Sequence, residues 1–338
     1  MNPVRVCIVG VGRAGMVHAT NFRDNVPGAS LAAVVDADLN LAEQRGRELG
    51  VDLFFSDIHQ ALEEAEIDAV CITTPTFTHA EIAIAAARAG VHIFCEKPMA
   101  LTLEEADAMI QAADEAGAKM QIGFMRRFDP AFRAAKEKIE AGLIGQPMIV
   151  KSTGRGPGLP PRWACDSRTS IGMLAEVNSH DFDSLRWLIG SEFARVYAEV
   201  GALKCPELRE KFPDFYDNAV VIARFDNGGL GVLDGSCPVE YGYDARVEIL
   251  GTTGVILIGE LQSEAVTICT KKSGVVTSTF PSWRDRFREA YVAEARHFIE
   301  CITEDHPPSV TGYDGRKALE AVIAATESAK QGVPVALS

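Results

Sequence analysis

Long apolar runs, paired cysteines and an excess of basic charge are what this 338-residue chain lacks. No apolar stretch approaches the length of about eighteen residues that a membrane helix needs, so no span is expected. Lys and Arg number 33 against 47 Asp and Glu, a formal net charge of −14. That balance disfavours nucleic acid and anionic membranes as partners. The eight cysteines are scattered from Cys7 to Cys301, with no C-x-x-C pair to suggest a zinc knuckle or redox dithiol. Cys7, Cys71 and Cys95 lie in apolar runs and read as small core residues. The apolar run that stops at Gly10 is too short for a secretory signal and has no small-residue cleavage site after it. Together these features predict a protein of the reducing cytoplasm.

What is present is a regular alternation. Val4–Val9, Leu31–Val35, Asp68–Thr73, Val91–Cys95 and Met120–Gly123 read as strands. Helical patterns separate them, among them Ala14–Asn25 and Leu39–Leu49. Thr78-x-x-Glu81 and Thr102-x-x-Glu105 are candidate capping boxes. Strand alternating with helix, without hairpin signals, predicts parallel βαβ units, hence a doubly wound α/β domain over residues 1–123. The pattern then changes. A helix is expected over Gly172–Leu188, followed by strands with Gly-rich punctuation such as Asn227-Gly228-Gly229. That predicts an α+β domain over 124–338 with a large, mainly antiparallel open sheet. Two helices end the chain, the last over about 312–331 and able to pack back on the first domain.

Gly10-Val11-Gly12-Arg13-Ala14-Gly15 is a G-x-G-x-x-G sequence that follows the first strand and opens the first helix. Asp36 closes the second strand, 36 − 15 = 21 residues after Gly15, where a dinucleotide fingerprint carries its ribose-binding acid. Gly10 permits the turn, Gly12 admits the pyrophosphate and Gly15 lets helix and strand approach. Arg13 and Ala14 stand at the helix N-terminus, where backbone N–H groups and the dipole favour an anion. Asp36 accepts from ribose hydroxyls and repels a 2′-phosphate, and Ala37 and Asp38 supply no cation. NAD is therefore expected over NADP, with Arg13 the one nearby cation.

Three more segments carry candidate chemistry. Thr73, Thr74 and His79 belong to a strand-end sequence, and ligands of parallel sheets lie beyond the carboxyl ends of strands. Glu96-Lys97-Pro98 is also at a strand end, where a partly buried lysine beside a cationic ring suits proton transfer. Glu176 and His180 are four residues apart on the expected helix, so carboxylate and imidazole share a face as an orienter and base require. As zinc ligands they are too few, and no metal is expected.

The order of these motifs, with Gly123-Phe124-Met125-Arg126-Arg127-Phe128-Asp129, resembles the glucose–fructose oxidoreductase/inositol dehydrogenase/rhizopine catabolism (Gfo/Idh/MocA) family across essentially the whole chain. Gly123–Pro130, Tyr241-Gly242-Tyr243-Asp244 and the terminal helices are most similar to its inositol 2-dehydrogenase branch. The resemblance implies that Gly10, Gly12, Asp36, Thr74, His79, Glu96 and Arg126 line the cofactor. It implies that Lys97 and His180 handle a hydroxyl proton, assisted by Glu176. The implied reaction is hydride transfer between a cyclic polyol or sugar and NAD. An internal-redox variant, with elimination or epimerisation on held NAD, uses the same residues. Arg127, Arg155, Tyr241 and Trp283 are candidates for the other substrate hydroxyls. A homo-oligomer, dimer or tetramer, is implied as well. The chain departs from the family pattern twice: Glu176 stands where Asp is usual, and Cys165–Ser170 replaces a short Ser-Gly-Gly approach.

Overall fold

The computed structural model describes residues 2–337. They form two units, residues 2–128 with Glu289–Leu319, and Asp129–Arg288 with residues 320–337.

The first unit opens with β1 (Val4–Val9), α1 (Arg13–Asp24), β2 (Ala29–Val35), α2 (Leu39–Leu49), β3 (Phe54–Phe55) and α3 (Ile58–Glu64). It continues through β4 (Ala69–Ile72), α4 (His79–Arg88), β5 (His92–Cys95), α5 (Leu103–Ala116) and β6 (Met120–Ile122). The strands lie in the order β3-β2-β1-β4-β5-β6, all pairs parallel. This is the expected doubly wound sheet, and its strand order reverses between β1 and β4. In such sheets the crevice at the reversal, beyond the carboxyl strand ends, is where ligands bind. The capping box at Thr102 forms, with Glu105 N donating to its hydroxyl and the Glu105 carboxylate returning to Thr102 N. The one expected at Thr78 does not. The Thr78 hydroxyl instead donates to Thr74 Oγ1 and the Pro75 carbonyl, because a 3-10 turn over Thr76–Thr78 precedes α4.

The second unit begins with α6 (Pro130–Glu140), β7 (Pro147–Arg155), α7 (Met173–Glu176), α8 (Ser179–Ile189), β8 (Phe193–Gly201), β9 (Asn218–Phe225) and β10 (Leu230–Ser236). Then come β11 (Asp244–Gly251), β12 (Val255–Ile258), β13 (Gln262–Thr270), β14 (Gly274–Thr279) and α9 (Trp283–Arg286). The chain ends with α10 (Arg288–Thr303), α11 (Gly312–Gln331) and β15 (Val335–Ala336). Seven strands form an open sheet in the order β12-β11-β7-β10-β9-β8-β15. Every pair in it is antiparallel except β7 with β10. Asn227-Gly228-Gly229 makes the expected β9–β10 hairpin turn, with Gly228 at φ +84° and Gly229 N donating to Asn227 Oδ1. The burial of β9 alternates along the strand, one face packed and the other holding Val220 and Ile222 half-exposed.

The helix expected over Gly172–Leu188 is two helices. It breaks at Val177-Asn178. At the break the Asn178 side chain donates to Gly154 O at 3.1 Å and Asp181 Oδ2 at 2.8 Å. An Asn that bonds outward in this way competes with helix continuation.

α10 completes the first unit. Its Ala295, Phe298 and Ile299 are buried with Val6 and Ile8 of β1, Phe22 of α1 and Phe94 of β5 in one apolar cluster. Phe94 and Phe298 meet edge to face, with ring centroids 5.7 Å apart. All eight cysteines are unpaired thiols. Burial pushes the Cys7 thiol up to about 12, as suits an inert core residue. Among the described residues no helix is long and apolar enough to cross a membrane.

Candidate active site

The three glycines of the β1–α1 turn have three different reasons to be glycine. Gly10 has φ +90°, and a Cβ there would lie 2.8 Å from Thr74 N. Its own N–H donates to Val35 O at 2.7 Å and its carbonyl accepts from Thr73 Oγ1 at 2.5 Å, so the turn is tied to β2 and β4. A Cβ on Gly15 would fall on the Gly10 carbonyl oxygen. At Gly12, an exposed position, a Cβ would meet nothing within 4 Å. The space over the α1 N-terminus is thus open. No side chain caps that terminus and its first turn carries no acid. Arg13 is exposed and Ala14 half-buried beside it. Such a terminus holds a pyrophosphate through its N–H groups and dipole.

Asp36 stands at the end of β2, half-buried. Its Oδ2 accepts from Val11 N at 3.0 Å and its Oδ1 from Asp38 N at 3.1 Å. Each carboxylate oxygen keeps a further lone pair for a ribose hydroxyl. Asp38 itself caps α2, accepting from Asn40 N and Leu41 N. These residues fit a dinucleotide whose ribose carries no phosphate.

The ends of β4 and β5 bring the next group together. His79 is buried, with Nδ1 2.9 Å from the Pro98 carbonyl and Nε2 2.9 Å from the Thr74 carbonyl. Burial holds its imidazole below the ordinary value, against the pull of those two carbonyls. The ring's place is therefore between the Thr74 and Lys97-Pro98 segments, which it pins to each other. Lys97 is half-buried at the end of β5, and the Lys97–Pro98 peptide is cis. Glu96 is buried, its Oε1 2.8 Å from His18 Nε2 and its Oε2 accepting from Lys97 N at 3.1 Å. Arg126, in a 3-10 turn after β6, is 2% exposed, and Arg127 next to it is held by Asp314 at 2.8 Å.

In the second unit His180 is buried in the first turn of α8, and Glu176 is the last residue of α7. The helix break lies between them, so the i, i+4 geometry of one continuous helix, expected from their spacing, is not what relates them. Glu176 Oε1 accepts from Ser170 Oγ at 2.8 Å, and that hydroxyl in turn accepts from Gly172 N at 3.0 Å. The two departures from the family pattern therefore meet: the altered 165–170 stretch supplies the hydroxyl that holds the longer carboxylate. Asp181 is fully buried and accepts from Ser152 Oγ at 2.6 Å and from Asn178. A Cβ on Gly154 would fall on its carboxylate. The sequence reading gave Asp181 no role; its signal was an acid three residues after Asn178 within the expected helix. Arg155 on β7 is ion-paired with Asp234 and lies 3.2 Å from the Tyr241 hydroxyl, which donates to Asp244 at 2.9 Å. Trp283 opens α9, half-buried, with the Arg284 guanidinium 5.5 Å from its ring centroid.

The chain matches the model of an oxidoreductase family with an NAD-binding Rossmann fold over residues 4–124. It matches that family's C-terminal alpha/beta domain over 136–337. It is 42% identical over 334 residues to the scyllo-inositol 2-dehydrogenase (NAD(+)) of Bacillus subtilis, covering 99% of this chain and 96% of that protein. It is 35% identical to the myo-inositol 2-dehydrogenase of Thermotoga maritima, covering 97% of each. The crystal structure of scyllo-inositol dehydrogenase from Lactobacillus casei with bound NAD(H) and scyllo-inositol superposes with a TM-score of 0.91 at 28% identity, covering 99% of both chains. Two matched domains and relatives of this similarity agree with the glycine turn and the Asp36 carboxylate: the chain belongs to the Gfo/Idh/MocA family of NAD-binding oxidoreductases.

Proposed function

We propose that this protein is an NAD-dependent dehydrogenase that oxidises a secondary ring hydroxyl of an inositol-like cyclic polyol. The observation that carries the reading is the β1–α1 cradle, open over Gly12 and bounded by Asp36. The inositol dehydrogenases among its relatives supply the substrate class. Bound NAD supplies a hydride acceptor at the nicotinamide ring. The rest is done by side chains. His180 accepts the hydroxyl proton as the C–H bond breaks. The Lys97 ammonium stabilises the alkoxide that develops and relays the proton. Glu176, steadied by Ser170, orients the imidazole. Arg127, Arg155, Tyr241 and Trp283 are the proposed contacts to the remaining hydroxyls, since several hydrogen bonds are needed to tell one polyol from another.

We further propose that the protein is a cytoplasmic homo-oligomer, a dimer or tetramer. Support comes from the uncovered sheet face of the second unit. Val220 and Ile222 of β9 and Val255 and Leu257 of β12, with three strands between them, are each more than half exposed there. Light scattering of the purified protein measures the assembly directly, and a monomeric mass would overturn this part.

The function is tested by following nicotinamide reduction with NAD and with NADP over scyllo-, myo- and chiro-inositol, glucose and 3-hydroxy glycosides. Reduction of NAD by one or two cyclic polyols is expected. Lys97→Ala and His180→Ala should each lower kcat by about 10²–10⁴-fold, the usual worth of positioned acid–base groups, with NAD binding retained. Absence of turnover across the panel, or normal turnover in both variants, contradicts the assignment.

A further inference from the structure

Beneath Lys97, three ionisable side chains from three elements meet in the core of the first unit. They are His18 of α1, Glu96 at the end of β5 and Glu294 of α10, and one nitrogen or oxygen from each lies within 4.8 Å of the others. His18 and Glu294 are 0% exposed and Glu96 8%. The His18 ring is packed against Phe94, centroid to centroid 4.9 Å, and against Tyr291 at 5.5 Å. Gly123 faces the Glu96 carboxylate, and a Cβ there would lie 3.1 Å from its carboxyl carbon. The site is therefore built around a carboxylate, with a glycine where a side chain would displace it.

The two acids differ in what surrounds them. Glu96 has His18 Nε2 on one oxygen and Lys97 N on the other. Burial alone would raise its carboxyl, but the His18 hydrogen bond, the neighbouring charges and the Lys97 N–H bring it below the ordinary value. Neither oxygen of Glu294 accepts a hydrogen bond from any donor among the described residues. Its neighbours offer no compensation. Cys71 is a buried thiol, and the Gln121 amide donates from Nε2 to the Glu294 main-chain carbonyl at 3.0 Å, away from the carboxyl. An ionised carboxylate in such a place is heavily penalised, and the ordinary escape is to keep the proton. Burial first, and the Glu96 charge second, push the Glu294 carboxyl well above its ordinary value.

We propose that Glu294 is a positioning residue for Lys97: a neutral carboxylic acid that holds its proton at working pH and presents it to Glu96, keeping Glu96 an anchored carboxylate on the Lys97 backbone. The cluster then holds one negative charge shared by His18, Lys97 N and the Glu294 hydroxyl, in place of two opposed carboxylates. It gives the backbone of Lys97 a fixed seat from which the side chain works. The inference rests on the role proposed for Lys97, but the protonation of Glu294 does not.

The test uses the full-length protein. Infrared spectra at neutral pH should show a protonated carboxyl C=O band that disappears in Glu294→Gln. Gln keeps a donor and no charge, so it should support kcat/KM within about twofold, with the pH profile unmoved. Glu294→Leu removes the donor. Glu96 then protonates more readily, and the acidic limb of kcat/KM should move up by about one pH unit, with NAD affinity little changed. If the Leu variant does not fold, the band and the Gln variant decide. No protonated band, a tenfold or greater loss in Glu294→Gln, or a stoichiometric divalent metal in the purified protein would each overturn the proposal. A metal would need Glu294 deprotonated. Unimpaired turnover in Lys97→Ala with the band still present would remove the role of Lys97 alone and leave the proton on Glu294.

Discussion

The glycine turn separates two demands that one motif is usually credited with together. Gly15 serves the fold, since its missing Cβ is what lets α1 pass the Gly10 carbonyl. Gly12 has no such packing reason, since nothing in the protein occupies the space beside it, and the proposed cofactor site supplies the reason. Gly15→Ala should therefore cost about 1–3 kcal/mol of stability, as overpacking does. Gly12→Ala should change stability by no more than about 1 kcal/mol, the worth of an N-cap change, yet weaken NAD strongly. Denaturation curves and NAD titration of the two variants separate the effects; a Gly12→Ala protein that binds NAD normally contradicts the cradle. This much of the site was legible in the sequence, because the constraint is local and glycine is its signature. The His18–Glu96–Glu294 cluster was not. Its members are 78 and 198 residues apart along the chain (96 − 18 and 294 − 96), and nothing at any one position advertises the others.

At the scale of elements, the helix over Leu39–Leu49 is the one its pattern predicts, and the structure adds Asp38 as its cap. β3 was missed because two residues, Phe54 and Phe55, carry no period, and their strand exists only by pairing with Val34 and Val35. The parallel pairing of β7 with β10 inside an otherwise antiparallel sheet was equally invisible, since hairpin signals report only neighbours in sequence. The break between α7 and α8 is the most consequential difference. Continuous helix would have left Asn178 on a helical face; instead it ties Gly154 O to Asp181. Gly154→Ala should press on that carboxylate and shift α8 against β7, with His180 one residue from the pressure. A loss of about 1–3 kcal/mol in stability is expected. A fall in kcat at unchanged NAD affinity should accompany it. A Gly154→Ala protein with wild-type melting and turnover would show that the Asp181 network does not set this helix.

For the whole molecule, a buried acid such as Glu294 links stability to pH. Its folded-state value is raised and its unfolded value is the ordinary one of about 4.3. Its contribution is thus fully present below that unfolded value and is lost as pH rises toward the folded one. Gln has no proton to lose. The stability of Glu294→Gln relative to the unsubstituted protein should therefore grow from acid to neutral pH, as read from denaturant midpoints at a series of pH values. A gap that does not change with pH would place an ionised carboxylate at this position.

The same α10 that carries Glu294 also supplies Phe298 and Ile299 to a cluster begun by Val4 and Val6. The sheet that holds the cofactor turn is made well before its cover, because α10 begins 166 residues beyond the end of β6 (288 − 122). Chains grow at about 5–20 residues per second. The interval between β6 and α10 therefore lasts from several seconds to about half a minute. Over that time the nascent sheet exposes an apolar surface that a later part of the same polypeptide must close. A message cut short ahead of residue 289 leaves that surface without the Ala295, Phe298 and Ile299 side chains that close it.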